Sequence, residues 1–171
     1  MPKQLLVLAG IVLAVTILAL LSRATPPFAL PDGDDQAARL AYWAHWLLLP
    51  GLTLAAGVGL AGAWRFLDSE AIDGTPAPKS AGLEITLRYN RNTLEQLVLA
   101  AIAWAGLALA LPHERLVLVP ALAVLFVFAR ALFWVGYLIA PWARAAGFAL
   151  TFYPTVAALF WLTARLAQPG P

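Results

Sequence analysis

Residues 116–140 read LVLVPALAVLFVFARALFWVGYLIA, an apolar run interrupted by a single charge, Arg130. As an α-helix rising about 1.5 Å per residue, this run exceeds the roughly 30 Å hydrocarbon core of a bilayer. Four more apolar stretches invite the same reading: Leu5 to Leu21, Trp46 to Trp64, Leu97 to Leu111 and Ala145 to Ala164. Of the 171 residues, 62% are apolar and 12% charged, whereas a soluble domain carries about 25% charge to face water. Mean hydropathy is +0.80. The solvent is therefore lipid, and the spans are helices because lipid offers the backbone no hydrogen-bond partner. The expected fold class is all-α, an integral membrane helical bundle.

The composition also excludes chemistry. A net charge of +2 gives no basic patch for nucleic acid. With no cysteine there is no disulfide, no thiolate metal site and no cysteine nucleophile, so any thiol must arrive on a ligand. His45 and His113 stand apart from other ligand types, which argues against a metal. No serine-hydrolase motif occurs. Gly57, Gly59 and Gly62 spell a dinucleotide-like G-x-G-x-x-G, but inside a membrane span and without a preceding strand. Gly51, Ala55, Gly59 and Ala63 instead predict a smooth stripe for close helix approach.

Ser22 to His45 and Asp68 to Gly82 read as surface loops, rich in proline, glycine and acidic residues. Leu5 to Leu21 is expected to be a retained helix; a cleaved signal peptide is the alternative, disfavoured by its length and by Arg23. Alternating spans put Lys3, Arg65, Lys79, Arg88, Arg91 and Arg144 on one side and Arg23, Arg39, Arg115 and Arg165 on the other. Six against four favours the first side as cytoplasmic, here of a cell's inner membrane. Tyr42, Trp43, Trp46, Trp64, Trp142 and Trp161 are expected to form interfacial belts.

Arg88, Asn92 and Glu95 fall at i, i+4 and i+7, within roughly 60° of one helix face as the third span begins. A cation, an amide and a carboxylate there suit a zwitterionic ligand; the alternative is a surface pair between Arg91 and Glu95. Arg130 lies too deep to snorkel, and a charge at such depth costs about 2.5 to 3.5 kcal/mol on insertion scales. It needs a partner, expected to be Glu95 of this or another subunit, or else a ligand. Tyr137 follows Arg130 on nearly the same face. Pro141 suits the first turn of the last helix and leaves Arg144 beside the helix N-terminus. Guanidinium and free N–H groups there favour an anion and lower the pKa of a thiol.

The pattern Arg88-x-x-x-Asn92-x-x-Glu95, the stretch Ala129 to Tyr137, and Arg144 with Gly147 resemble the MAPEG family, membrane-associated proteins in eicosanoid and glutathione metabolism, in a bacterial-type form. The resemblance covers about 120 residues from the second span onward. It implies a four-helix membrane domain over residues 44–171, preceded by an extra N-terminal transmembrane helix and loop over residues 1–43. It also implies a homotrimer binding glutathione as cosubstrate between subunits. In that pattern Arg88, Asn92, Glu95, Arg130 and Tyr137 line glutathione and Arg144 stabilises its thiolate. The implied activity is a glutathione-dependent transferase or peroxidase acting on a lipophilic small molecule drawn from membrane lipids. Phe133, where several members carry tyrosine, and Gln96, where an aromatic residue is common, depart from the pattern. They sustain the alternative of a non-catalytic scaffold or lipid-binding protein.

Overall fold

The computed structural model describes residues 3–24, 26–67, 72–74, 80–140 and 142–166. They form five α-helices: α1 (Lys3–Arg23), α2 (Gln36–Leu67), α3 (Ala81–Ala110), α4 (Leu118–Ile139) and α5 (Ala145–Leu166), with a 3₁₀ turn at His113–Arg115. Among the described residues there is no strand. Four helical segments are long and apolar enough to cross a membrane: α2, α3, α4 with its preceding turn, and α5. The N-terminal helix adds a shorter apolar stretch, Val7–Leu21. The chain is a multi-pass integral membrane bundle.

Two helices begin well before their apolar runs, because polar side chains start them. The Asp35 carboxylate accepts from the Ala38 amide at 2.9 Å, capping α2 ten residues ahead of Trp46. The loop expected as far as His45 therefore ends at Asp35. The Ser80 hydroxyl accepts from Leu83 N at 3.3 Å, so α3 gains two turns before the face that carries Arg88 and Asn92. Of the second loop, only 72–74 and 80–82 lie within the described residues.

Side-chain contacts fix the directions. Gly10 lies on Ala146, and Ala14 packs with Ala149 and Leu150, flanked by Ile17 and Tyr153. Both numberings rise together, so α1 runs parallel to α5. Trp64 of α2 covers Gly82 at the start of α3, while Arg39 reaches the far end of α3. The starts of α1, α3 and α5 thus share one end of the bundle with the close of α2. Arg65, Arg88, Arg91 and Arg144 lie there, and Arg39 and Arg165 lie opposite, as expected; Lys79 falls outside the described residues.

The main core sits between α3 and α4, where Trp104 meets Phe126 edge-on at 6.0 Å among Ala100, Ala103, Leu107, Leu122 and Ala123. Trp43 and Trp46, both partly buried, pack against this cluster. The stripe of Gly51, Ala55, Gly59 and Ala63 is displaced from its expected role within the subunit: no atom lies within 4 Å of a Cβ at Gly51 or Gly59. The close approach falls on Gly57, where a side chain would run into the Asn90 amide and Tyr89 ring. The Asn90 amide donates to Gly57 O at 2.9 Å.

The closest approach of one helix backbone to another at a glycine joins α4 to α5. A Cβ on Gly147 would lie 2.5 Å from Ala129 O and 2.6 Å from Phe133 Cα, backbone atoms that cannot turn aside. Gly147→Ala is expected to cost about 1 to 3 kcal/mol through overpacking, read as a lowered Tm of the detergent-solubilised protein. An unchanged Tm would refute this close crossing.

At the opposite end, Arg39 donates to Ala108 O at 2.9 Å and Leu111 O at 2.7 Å, and its other nitrogens hold Asp34. His113 Nδ1 meets the same Asp34 oxygen at 2.9 Å. The hydrogen bond to His113, followed by that to Arg39, holds the Asp34 carboxyl below its ordinary pKa. A lowered folded-state pKa contributes stability above the unfolded value of about 3.9, and the contribution fades as pH falls through the folded value. Asp34→Asn should therefore lose less Tm than the native chain when pH drops from about 5 to about 3; equal losses would exclude Asp34 as a contributor.

Candidate functional site

Arg130 is fully buried in α4. Its Nη1 donates to Asn92 Oδ1 at 2.8 Å, and its Nη2 to Gly147 O at 3.0 Å and Thr151 Oγ1 at 2.8 Å. Its guanidinium carbon stands 4.5 Å from the Phe133 ring centroid. One side chain thus ties α3 and α5 to α4. Every acceptor is neutral, and among the described residues no carboxylate pairs with Arg130. Both terminal nitrogens are partnered, the Nε is buried without a partner, and the charge is not cancelled.

Tyr137, two turns further along α4, is the next junction. Its hydroxyl oxygen accepts from Arg144 Nη1 at 3.2 Å and receives a long contact from Arg88 Nη1 at 3.5 Å. The Arg144 guanidinium also lies 4.8 Å from the Tyr137 ring centroid and 5.8 Å from that of Phe133. Arg88 is balanced by Glu84 one turn earlier on α3. Arg144 has no carboxylate partner among the described residues. It stands just before α5, where its carbonyl accepts from Phe148 N at 3.1 Å and the Ala145 amide donates to Trp142 O at 3.2 Å, so Arg144 sits at the positive end of the helix.

A cavity of about 370 Å³ adjoins these groups. Asn92 and Arg144 supply polar lining, Phe133, Trp142, Phe148 and Tyr153 supply aromatic surface, and Val7 and Ile11 of α1 contribute an aliphatic wall. The Asn92 oxygen is occupied by Arg130, which leaves the amide nitrogen of Asn92 to donate toward the cavity. The arrangement is a positively charged recess with apolar sides at one end of the bundle. It suits an anionic group bonded to an apolar one.

Of the expected residues, Asn92 and Arg144 line the cavity, and Tyr137 and Arg88 stand beside it, joined to Arg144 through the Tyr137 hydroxyl. Arg130 is next to them but behind Asn92, where it orients the amide and does not line the cavity. Glu95 is elsewhere: it is exposed and pairs with Arg91 at 3.3 Å. Within the subunit it is not the counter-charge of Arg130. The reason is rotation about α3: Asn92 and Gln96 lean toward the bundle, and Glu95, about 100° from Gln96, faces out. Gln96 is buried with its side-chain oxygen unpartnered. Sequence reasoning missed Thr151 and the Gly147 carbonyl as partners of Arg130. The available hint was a hydroxyl one helical turn after Gly147 in an apolar helix.

A sequence profile of the MAPEG family matches residues 5–164, a range that takes in α1 as well as the four long helices. The chain is similar to transmembrane protein 79 of Mus musculus, 27% identical over 135 residues, covering 79% of this chain and 34% of that protein. The Bos taurus protein of the same name is 26% identical over the same length, with the same coverage. The chain spans about a third of the length of these relatives. No solved structure matches it.

Because Thr151 supplies one of three acceptors to a buried cation, Thr151→Val is expected to cost about 1.5 to 3 kcal/mol, the range for hydrogen bonds to charged groups. Equilibrium unfolding in detergent would measure it; a loss near zero would mean that the hydroxyl does not support Arg130.

Proposed function

The chain belongs to the MAPEG family, and on that premise we propose that it is a glutathione-dependent membrane transferase or peroxidase acting on lipophilic electrophiles. The observation that carries this reading is Arg144: a guanidinium beside a helix N-terminus and a cavity, with no carboxylate partner among the described residues. Cation and helix end both favour a bound thiolate over the thiol. In the transferase reaction the thiolate sulfur attacks an electrophilic carbon, a carbon–sulfur bond forms, and the leaving group departs with its electron pair.

The other residues take binding roles. Arg88 and Arg144 face the carboxylates and sulfur of glutathione, Tyr137 holds the two guanidinium groups at a common distance, and Asn92 donates from its amide. Arg130 acts through Asn92 as a positioning residue. The charged outer face of α3, with Glu84, Arg88, Arg91 and Glu95 all exposed, supports a homotrimer in which a neighbouring subunit covers that face and Glu95 meets the glutathione amine. The excess of arginine at this end supports placement toward the cytoplasm, at the inner membrane.

A second reading, a non-catalytic scaffold or lipid-binding protein, is favoured by Phe133. It places an unreactive ring under both Arg130 and Arg144, where a hydroxyl would otherwise contact the ligand. Glutathione titration of the detergent-solubilised protein separates the two: saturable binding supports the enzyme, and none supports the scaffold. In the enzyme, Arg144→Ala is expected to remove the ultraviolet thiolate absorbance of bound glutathione. It should also lower turnover by about 100-fold or more, the scale of losing one preorganised charge-stabilising donor. Undiminished absorbance and turnover would overturn the role of Arg144.

A further inference from the structure

The cavity beside Arg144 has one wall that the polar groups do not explain. Val7 and Ile11 of α1 line it, although α1 carries none of the residues that point to the thiol. Their position is fixed by packing. A Cβ on Gly10 would come within 3.2 Å of Ala146 Cα, and Ala14 is fully buried in the cluster with Ala129, Ala149 and Leu150. These residues recur at helical spacing on one face of α1, while Leu8 and Val12 stand on the other, 54% and 63% exposed against 43% for Val7. Both wall residues are β-branched, so in a helix each is held close to one χ1 rotamer. The wall is therefore stiff in its side chains and tightly seated in its backbone.

The volume it borders is small, in a recess that is half open. About 370 Å³ lies near the lower limit for ligand pockets, roughly 300 to 1,000 Å³, and a tripeptide thiol fills most of such a space. We infer that Val7 and Ile11 are specificity-determining residues, limiting the apolar group that can stand beside the Arg144 guanidinium to a slender, unbranched chain. This inference rests on the proposed glutathione site and names which electrophiles that site accepts.

Binding separates the two ideas without relying on turnover. Calorimetric titration of the full chain in detergent with glutathione, S-hexylglutathione and S-(diphenylmethyl)glutathione reads the thiol site and the wall together. The native chain is expected to bind the hexyl conjugate in preference to the diphenylmethyl one. In the double variant Val7→Ala/Ile11→Ala the affinity of the bulky conjugate relative to the hexyl one should rise about tenfold or more, the scale on which a hydrophobic pocket discriminates by size. Any change in glutathione affinity itself is divided out, because the readout is the ratio of the two conjugates. Leu8→Ala/Val12→Ala, on the opposite face of the same helix, should leave all three ligands unaffected. Glutathione binding with an unmoved ratio would overturn the wall and spare the thiol site. A rise of equal size in the Leu8/Val12 variant would also overturn it, since loosening of α1 would then suffice. If none of the three ligands binds the native chain, the glutathione site falls, and this inference with it.

Discussion

A guanidinium buried among neutral acceptors is the constraint on which the rest of the architecture turns. Arg130 holds Asn92 of α3 and the Gly147 and Thr151 oxygens of α5 at hydrogen-bond distance, so three helices must keep their registers to within a fraction of an ångström. The Gly147 crossing makes this reach possible, because only a residue without a side chain lets α5 lie against the α4 backbone at Ala129 and Phe133. An uncancelled cation in a low-dielectric interior raises the potential around it. With Arg144 one layer further out, that potential opens into the recess. Structure and electrostatics thus share one origin: the residue that knits the helices together also biases the cavity toward anions.

Much of the fold was legible because lipid leaves few choices. Runs such as residues 116–140 admit one secondary structure and one environment, and the alternation of spans then sorted the arginines to the two ends. Helix starts were less legible, since Asp35 and Ser80 extend α2 and α3 through polar sequence that hydropathy assigns to loops. Helix faces were harder still. Spacing grouped Arg88, Asn92 and Glu95 correctly as neighbours on α3, but it carries no information on which edge of that face meets α4. A rotation of one residue decides whether a carboxylate meets a buried arginine or faces outward, and Glu95 faces outward. The same limit applies to the small-residue stripe of α2: within the subunit the close contact falls on Gly57.

The site was legible in its charges and obscure in its walls. Arginines and a tyrosine in an apolar chain stand out, because each must be explained against the cost of burial. Val7, Ile11 and Phe148 do not stand out from dozens of similar residues. They acquire a role only when α1 is seen lying parallel to α5. Thr151 belongs with them: a lone hydroxyl in a membrane helix commonly bonds its own backbone, and here it does so at Phe148 O while also accepting from Arg130.

The far end of α3 is finished differently from the end that carries the recess. Carbonyls of Ala108, Ala110 and Leu111, which a terminating helix leaves without amide partners, receive guanidinium donors from Arg39 and Arg165. A helix of 30 residues is longer than a typical hydrocarbon core, so α3 reaches into the headgroup layer, whose depth differs from one membrane to another. With its carbonyls already satisfied by the protein, it needs no water to complete them. That terminus can therefore meet headgroups of differing depth without unravelling, a finish built apart from the recess at the opposite end.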